Sequence, residues 1–221
     1  MNLHSNGLVR RLSDADQALL AARCKPVLLA TGQVLSSSAA PSAQAYFLLG
    51  ATVALAVPNT QHIGLGVALM AGEGALGMQL ALGMGAGPFT WLVQSGGAAG
   101  CVDGMVLQRL VARRRGMLMV LARYLCEVAQ EVALLAGASQ VGDIRARVAG
   151  WVLLSHRRSG SVDLHLTHAH LADMLGVRRA SVTLAALELK ALGLLGYQRG
   201  CIQVLDLPGL EAAAGPSLAW A

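Results

Sequence analysis

The sequence has little charge, few aromatic side chains and a long stretch without any basic residue. Only 13% of its 221 residues are charged and 4% are aromatic, and neither lysine nor arginine occurs from residue 26 to residue 108. A chain of this length can bury a core as one large domain or as two small ones. The low charge, with a mean hydropathy of +0.55, requires a test for membrane segments.

An uninterrupted apolar run is missing as well. The most apolar segment, residues 63–87, contains Glu73 and eight glycines. A membrane-spanning helix needs about 20 mostly apolar residues, and glycine weakens helices. The N-terminal residues also lack the apolar core and the cleavage pattern of a signal peptide. The sequence therefore predicts a soluble, cytoplasmic protein without a membrane partner.

Motifs of catalysis and metal binding are absent too. There is no G-x-S-x-G, Walker loop or HExxH, so the sequence predicts a protein that is not an enzyme. The cysteines form no C-x-x-C pair, which favours separate reduced thiols over disulfides or a metal cluster. They are Cys24, Cys101, Cys126 and Cys201.

The histidines suggest no resident cofactor either. His165, His168 and His170 lack a cysteine or acidic fourth ligand at a familiar spacing, so no metal site is predicted. A haem ligand from His62 or Cys101 stays as a minor alternative.

Between residues 27 and 99 the sequence consists of short apolar segments such as "AYFLLGATVALAV" and "TWLVQ". Glycine, proline, serine and asparagine separate them, which is typical of an antiparallel β-sandwich or roll. A short helix is predicted before it, over residues 8–24, with Ser13 as N-cap and Asp16 at its third helical position.

A long amphipathic helix is predicted after the roll, and Gly137 is its expected end. Its apolar residues recur every three or four positions and form one stripe. Two interpretations are open: the stripe packs on the chain's own sheet, or it is the seam between two copies. We favour the seam, because an antiparallel roll already has its own interior. The stripe consists of Met117, Leu121, Tyr124, Val128, Val132 and Leu135.

The C-terminal part predicts two short helices and a hairpin. Thr167 is the expected N-cap of the first helix, and Gly176 ends it after about two turns. A second helix is predicted over residues 178–192, followed by two short strands around a tip at residues 198–200. This order describes a winged helix-turn-helix. The fold class is thus α+β.

Arg178 and Arg179 open the second of these helices. The second helix of a helix-turn-helix offers its first turn to base edges in the major groove, where an arginine fork can bond guanine. Cations are disfavoured at a helix N-terminus, so two of them there indicate an anionic partner. Phosphate contacts are expected from further polar residues near this turn and at the hairpin tip. They are Thr167, His168, Ser181, Thr183 and Arg199.

The patterns "LTxxxLAxxLGxxRxxV", "LxxxGLL" and "RGxIxVLD" resemble the C-terminal half of the CRP/FNR family of bacterial transcription regulators. The order roll, long helix, winged helix-turn-helix is also similar. The resemblance implies a cyclic-nucleotide-binding-like roll (1–101), a dimerisation helix (102–137) and a DNA-binding domain (138–221). It implies a homodimer that binds a two-fold operator in double-stranded DNA, with RNA polymerase as a further partner.

Two positions of the reading helix depart from the family pattern. Arg179 falls on the family's main base-contacting arginine. Ala180 and Leu184 stand where many members place a glutamate and a second arginine, so the operator of those members cannot be transferred. A contact of Leu184 with a thymine methyl group and a silent role are both open.

The effector pocket that the resemblance implies is also altered. Gly72-Glu73 matches the pair that holds the ribose of a cyclic nucleotide, but Phe89, next to Thr90, stands where the phosphate-binding arginine belongs. No cation lies between Lys25 and Arg109, and an unpaired buried phosphate costs several kcal/mol. We expect no binding of cyclic AMP or cyclic GMP; the roll takes a less charged effector or none. The alternative function is a sensor that binds a protein partner rather than DNA.

Overall fold

The computed structural model describes residues 2–58, 64–138, 142–198 and 200–215. The chain forms two compact units, Met1–Leu55 with Met70–Gln130, and Ala56–Leu69 with Glu131–Ala221. The second unit thus includes a segment from the middle of the predicted roll. The predicted boundaries after residues 101 and 137 stay predictions.

The strands of the roll begin after one short α-helix, α1 (Asp14–Ala21). Their bounds are β1 Lys25–Leu29, β2 Val34–Ser36, β3 Gln44–Leu48, β4 Thr52–Val57, β5 Leu65–Met70, β6 Ala75–Leu76, β7 Thr90–Ser95 and β8 Gly97–Asp103. They form two four-stranded sheets, in the orders β1-β8-β3-β6 and β2-β7-β4-β5. The pairings of β1 and β3 with β8 are antiparallel, and Cys101 lies opposite Lys25 in one and opposite Tyr46 in the other. The antiparallel roll is confirmed.

The N-terminal helix is shorter than predicted. Residues Val9–Arg11 form a separate 3₁₀ turn, and α1 begins only at Asp14. The predicted N-cap is confirmed, because Ser13 Oγ accepts a hydrogen bond from the Asp16 amide at 3.2 Å. The prediction of one helix over 8–24 was wrong because this cap starts a new helix.

The long helix is interrupted. It consists of α2 (Gly104–Ala112) and α3 (Arg115–Ala138). Asp103 caps α2 by accepting from the amides of Met105 and Val106. A single helix across 102–137 is therefore not observed.

The predicted dimer seam is largely buried inside the chain itself. Met117, Leu121 and Tyr124 are at most 5% exposed, and Leu135 is 7% exposed. Val128 and Val132 are half-buried. The period of apolar residues shows that one helix face is buried, but not which chain buries it. The chain's own residues therefore cover Met117, Leu121, Tyr124 and Leu135. For Val128 and Val132 a contact with a second copy stays a prediction.

The second unit carries the winged helix-turn-helix. Its elements are α4 Ile144–Ser159, β9 Asp163–Leu164, α5 His168–Leu175, α6 Arg179–Ala191, β10 Leu195–Gln198, β11 Cys201–Val204 and α7 Leu207–Ala214. The three strands form an antiparallel sheet in the order β10-β11-β9. Helix α7 was not predicted, although Asp206 caps it and Pro208 lies in its first turn.

The end of the β4–β5 hairpin packs into this second unit. A Cβ atom on Gly66 would lie 2.5 Å from the ring of Trp151 in α4, and one on Gly176 would lie 3.5 Å from Leu65. Only a residue without a side chain fits at position 66. No local pattern indicates this long-range contact.

Among the residues that the structure describes, no helix is both long and apolar enough to cross a membrane, and no group of three potential ligands could hold a metal ion. All four cysteines are free. His62 lies outside the described residues.

Candidate nucleic-acid interface

The turn before α6 positions the two arginines. Helix α5 begins at the predicted cap, where Thr167 Oγ1 accepts from the amide of His170 at 3.1 Å. It ends at Gly176 in the left-handed conformation, with φ 63°. The Val177 amide donates to the Ala172 carbonyl at 3.0 Å, which closes the turn.

Arg178 and Arg179 are both exposed at the start of α6. Arg178 is the N-cap residue, with extended backbone (φ −69°, ψ 140°), and Arg179 is the first helical residue. The first amides of this helix, the positive end of its dipole and two guanidinium groups thus lie together. This end of α6 attracts an anion.

The rest of α6 is fixed by its inward face. Val182, Ala186 and Leu189 are 0% exposed, and Ala185 is 4% exposed. They hold α6 against the rest of the unit, and the arginines at its start face solvent.

A polar cluster of His168, Thr183 and Tyr197 braces the reading helix from the side. His168 Nδ1 lies 3.1 Å from Thr183 Oγ1, and that hydroxyl donates to the Arg179 carbonyl at 3.0 Å. The Thr183 hydroxyl has a single hydrogen, which it donates to the Arg179 carbonyl. The hydrogen between Thr183 and His168 is therefore carried by His168 Nδ1. The His168 ring packs edge-on against Tyr197, with centroids 5.4 Å apart.

This cluster changes the role predicted for Thr183. It was expected to donate to phosphate, but its hydroxyl hydrogen already bonds the Arg179 carbonyl. His168 is engaged through Nδ1, and burial, followed by the charge of Arg179, lowers its pKa. A phosphate contact of His168 through Nε2 stays a prediction. Tyr197 was missed, since an aromatic residue in the wing has no local pattern that points to His168.

The other predicted phosphate contacts differ in accessibility. Thr167 is exposed, and its hydroxyl, which accepts from the backbone, still has a hydrogen to donate. Ser181 is half-buried. Arg199 lies outside the described residues.

The residues predicted for an effector pocket lie at the ends of two loops in the first unit. Gly72 and Glu73 precede β6, and one Glu73 carboxylate oxygen accepts from the Ala71 amide at 2.9 Å. Phe89 is half-buried, and Thr90 opens β7 with 7% exposure. The first pair leads into one sheet and the second pair into the other.

The N-terminal segment packs directly on the Gly72–Gly74 turn. The Gly7 amide donates to the Gly72 carbonyl at 2.8 Å. Asn6 is 0% exposed; its Nδ2 donates to the carbonyls of Leu48 (2.7 Å) and Gly74 (2.8 Å), and its Oδ1 accepts from the Val9 amide. Sequence reasoning missed Asn6, because one asparagine near a terminus carries no pattern.

Tyr124 of α3 also packs on this turn. Its hydroxyl accepts from the Ala75 amide at 2.8 Å and donates to the Ala75 carbonyl at 2.9 Å. A Cβ atom on Gly74 would lie 2.4 Å from that hydroxyl. The chain's own side chains therefore occupy the surroundings of Gly74 and Ala75.

Residues 146–213 match the family model of the Crp-like helix-turn-helix domain. The match includes both helices of the reading motif and the wing.

Solved structures with a similar fold cover nearly the whole chain. A putative transcriptional regulator of the crp/fnr family from Eubacterium rectale has a TM-score of 0.75 at 14% identity, over 96% of this chain and 99% of its own. A CRP-family transcriptional regulator from Thermus thermophilus has a TM-score of 0.73 at 19% identity, over 88% and 100%. The c-di-GMP responsive global regulator CLP from Xanthomonas campestris has a TM-score of 0.70 at 13% identity, over 88% and 100%. A search of curated proteins finds no match.

The fold and the exposed arginine turn define a transcription regulator with a helix-turn-helix DNA-binding domain. Residues 146–213 form a Crp-like helix-turn-helix domain, and the chain as a whole has the fold of solved CRP/FNR-family regulators.

Proposed function

We propose that this protein is a cytoplasmic, homodimeric regulator that binds a two-fold operator in double-stranded DNA and reads a guanine of each half-site with Arg179. The observation that carries the proposal is the exposed pair Arg178 and Arg179 at the N-terminus of α6. An arginine fork at this place in a helix-turn-helix reaches the O6 and N7 acceptors of guanine. Arg178, the exposed N-cap residue, is proposed to contact phosphate.

The footprint on DNA is local. Residues 138–221 contain eight basic and six acidic residues, for a net charge of +2. Affinity from general charge attraction is therefore modest, and the specific contacts of α6 provide much of the discrimination.

The test uses operators selected from a random DNA pool. Wild-type protein should bind a selected operator with an affinity that falls steeply as salt rises. Arg179→Ala should weaken operator binding by about 1–3 kcal/mol and affect random DNA much less. If wild type and variant bind alike, the alternative of a protein-binding sensor is favoured.

The homodimer is proposed to pair along the more exposed side of α3, since the stripe predicted as a seam is buried. Small or flexible side chains follow this side at helical spacing, which allows two helices to approach closely. They are Met119, Ala122, Cys126, Ala129 and Ala133.

Cross-linking tests this pairing. Because Cys126 is exposed, the two Cys126 thiols of a dimer with a two-fold axis along α3 should be cross-linked by a short bismaleimide. Cys126→Ser should abolish the product, and a monomer at micromolar concentration would contradict the pairing.

The roll is proposed not to respond to cyclic AMP or cyclic GMP. Phe89 in place of arginine, the absence of basic residues from 26 to 108 and the occupation of the Gly74 region by Tyr124 support this. Calorimetric titration should show no binding of either nucleotide, and micromolar affinity would contradict the proposal. Cyclic di-GMP is a useful third ligand, since the Xanthomonas neighbour is described as responsive to it. RNA polymerase is the further partner expected of such a regulator.

A further inference from the structure

The outward side of α6 carries an apolar stripe. Four residues at spacings of four, three and four form one stripe along the helix, and all of them are exposed. They are Ala180, Leu184, Leu187 and Ala191. Leu184 is 64% exposed and Leu187 is 54% exposed.

This stripe does not belong to the core of the unit. The opposite side of α6 already contains its buried residues, among them Val182 and Leu189 at 0% exposure. Single exposed leucines are common on protein surfaces and need no explanation. A line of four apolar residues that starts beside Arg179 is different, because it continues the surface that faces the partner of that arginine.

The partner's chemistry follows from this position. The N-terminal part of a reading helix lies in the major groove, and there the thymine 5-methyl group is the apolar feature of a base edge. Ala180 is adjacent to Arg179, and Leu184 lies one turn further along the same side. Side chains without donors or acceptors can contact that methyl group but cannot bond any other base edge.

We propose that Ala180 and Leu184 read thymine methyl groups next to the guanine read by Arg179. This inference rests on the proposed function and specifies the sequence that α6 selects. Cytosine at the same position would place its N4 donor against an apolar side chain, where it loses its hydrogen bond to water. Each half-site should therefore contain a guanine followed within a few base pairs by one or two thymines that resist replacement.

The experiment removes the methyl group and nothing else. In an operator selected from random DNA, each thymine is replaced in turn by deoxyuridine, which keeps every hydrogen bond of the base pair. Wild-type protein should lose about threefold to fivefold in affinity at one or two positions of each half-site, the worth of one buried methyl group. Replacements elsewhere in the operator should change affinity by less than about twofold, because no apolar contact is lost there.

Two variants test whether Leu184 is the residue that contacts the thymine methyl group. Leu184→Ala should bind the thymine and uracil operators equally at one of these positions. Leu192→Ala is the matched control: Leu192 is 60% exposed but caps the far end of α6. This control should keep the wild-type penalty for uracil.

Each other result has a distinct meaning. If uracil is tolerated everywhere while binding still depends on Arg179, the methyl readout is wrong and the proposed function stands. If Leu184→Ala keeps the uracil penalty, the assignment to Leu184 is wrong, and the stripe becomes a docking surface for a protein. If no sequence is enriched from the pool, the inference and the proposed function both fail.

Discussion

The two units treat polar groups in opposite ways. In the first unit, Asn6 and Tyr124 are buried and bond the backbone around the Gly72–Ala75 turn. In the second unit, Arg178 and Arg179 are exposed at the end of a helix whose dipole already favours an anion. The two polar side chains of the first unit find their hydrogen-bond partners within the chain. The two arginines of the second unit are available to an anionic ligand.

The two units also differ in how closely their predicted sites match the family pattern. The reading end has the turn, the arginine and the wing of a Crp-like domain. The predicted effector region keeps Gly72-Glu73, but no lysine or arginine occurs from residue 26 to residue 108. A resemblance to a family therefore predicts the function of a site only where the residues of that site match the family pattern.

The largest effect on stability is expected from Asn6→Ala. The variant removes the side chain that bonds two carbonyls and one amide at a fully buried site, so the free energy of unfolding should fall by about 3 kcal/mol. Thermal or urea unfolding measures it. Asn2→Ala is the control, because Asn2 is exposed and its side chain accepts from the His4 amide as a helix cap. Equal effects of the two variants would show that the N-terminal segment is not anchored by Asn6.

Gly66→Ala should have the next largest effect and tests the second unit. The added methyl group would lie 2.5 Å from the Trp151 ring, and such overpacking costs about 1–3 kcal/mol. Gly137→Ala is the matched change in α3, where the added methyl group meets nothing within 4 Å. It should raise the melting temperature, because alanine is favoured over glycine in a helix by about 1 kcal/mol. A tolerated Gly66→Ala would contradict the observed packing of the hairpin.

Helix caps, helix ends and buried helix faces of both units could be predicted from the sequence. The residues that pack against them could not. The caps Ser13 and Thr167 and the stop at Gly176 depend on a few neighbouring residues, and the structure has them where they were predicted. The face of α3 was recognised as buried, yet it was assigned to a second chain. Periodicity records burial without identifying what covers a face.

The missed parts of the sites have the same physical origin. Asn6 bonds Leu48 and Gly74 across 42 and 68 residues, and Gly66 meets Trp151 only after the chain has folded. The contact between Thr183 and His168 depends on how their two helices pack, not on the motif that contains both. Such contacts leave no trace in composition or spacing.

Tyr124→Phe should have a moderate effect in the first unit. The Ala75 amide and carbonyl would lose a common partner in a buried place, and we expect a loss of about 1–2 kcal/mol. Tyr197→Phe provides the comparison in the second unit, since its hydroxyl makes a longer bond of 3.4 Å to the Ala186 carbonyl. Its loss should be smaller. The opposite order would mean that the Tyr124 hydroxyl is not what closes the space beside Gly74.

The smallest effect on stability is expected from protonation of His168 in the polar cluster with Thr183 and Tyr197. Burial and then the charge of Arg179 lower the pKa of His168, so below about pH 6.5 the unfolded chain binds more protons at this residue than the folded chain does. Stability should therefore fall as the pH is lowered through this region, until the lowered pKa of the folded state is also passed. His170, whose pKa is lowered mainly by burial, should contribute in the same direction. Melting temperatures measured from about pH 7.5 to about pH 5 should show a shallower decline for His168→Gln than for wild type. An unchanged slope would mean that His168 stays solvated and does not brace Thr183 and the start of α6.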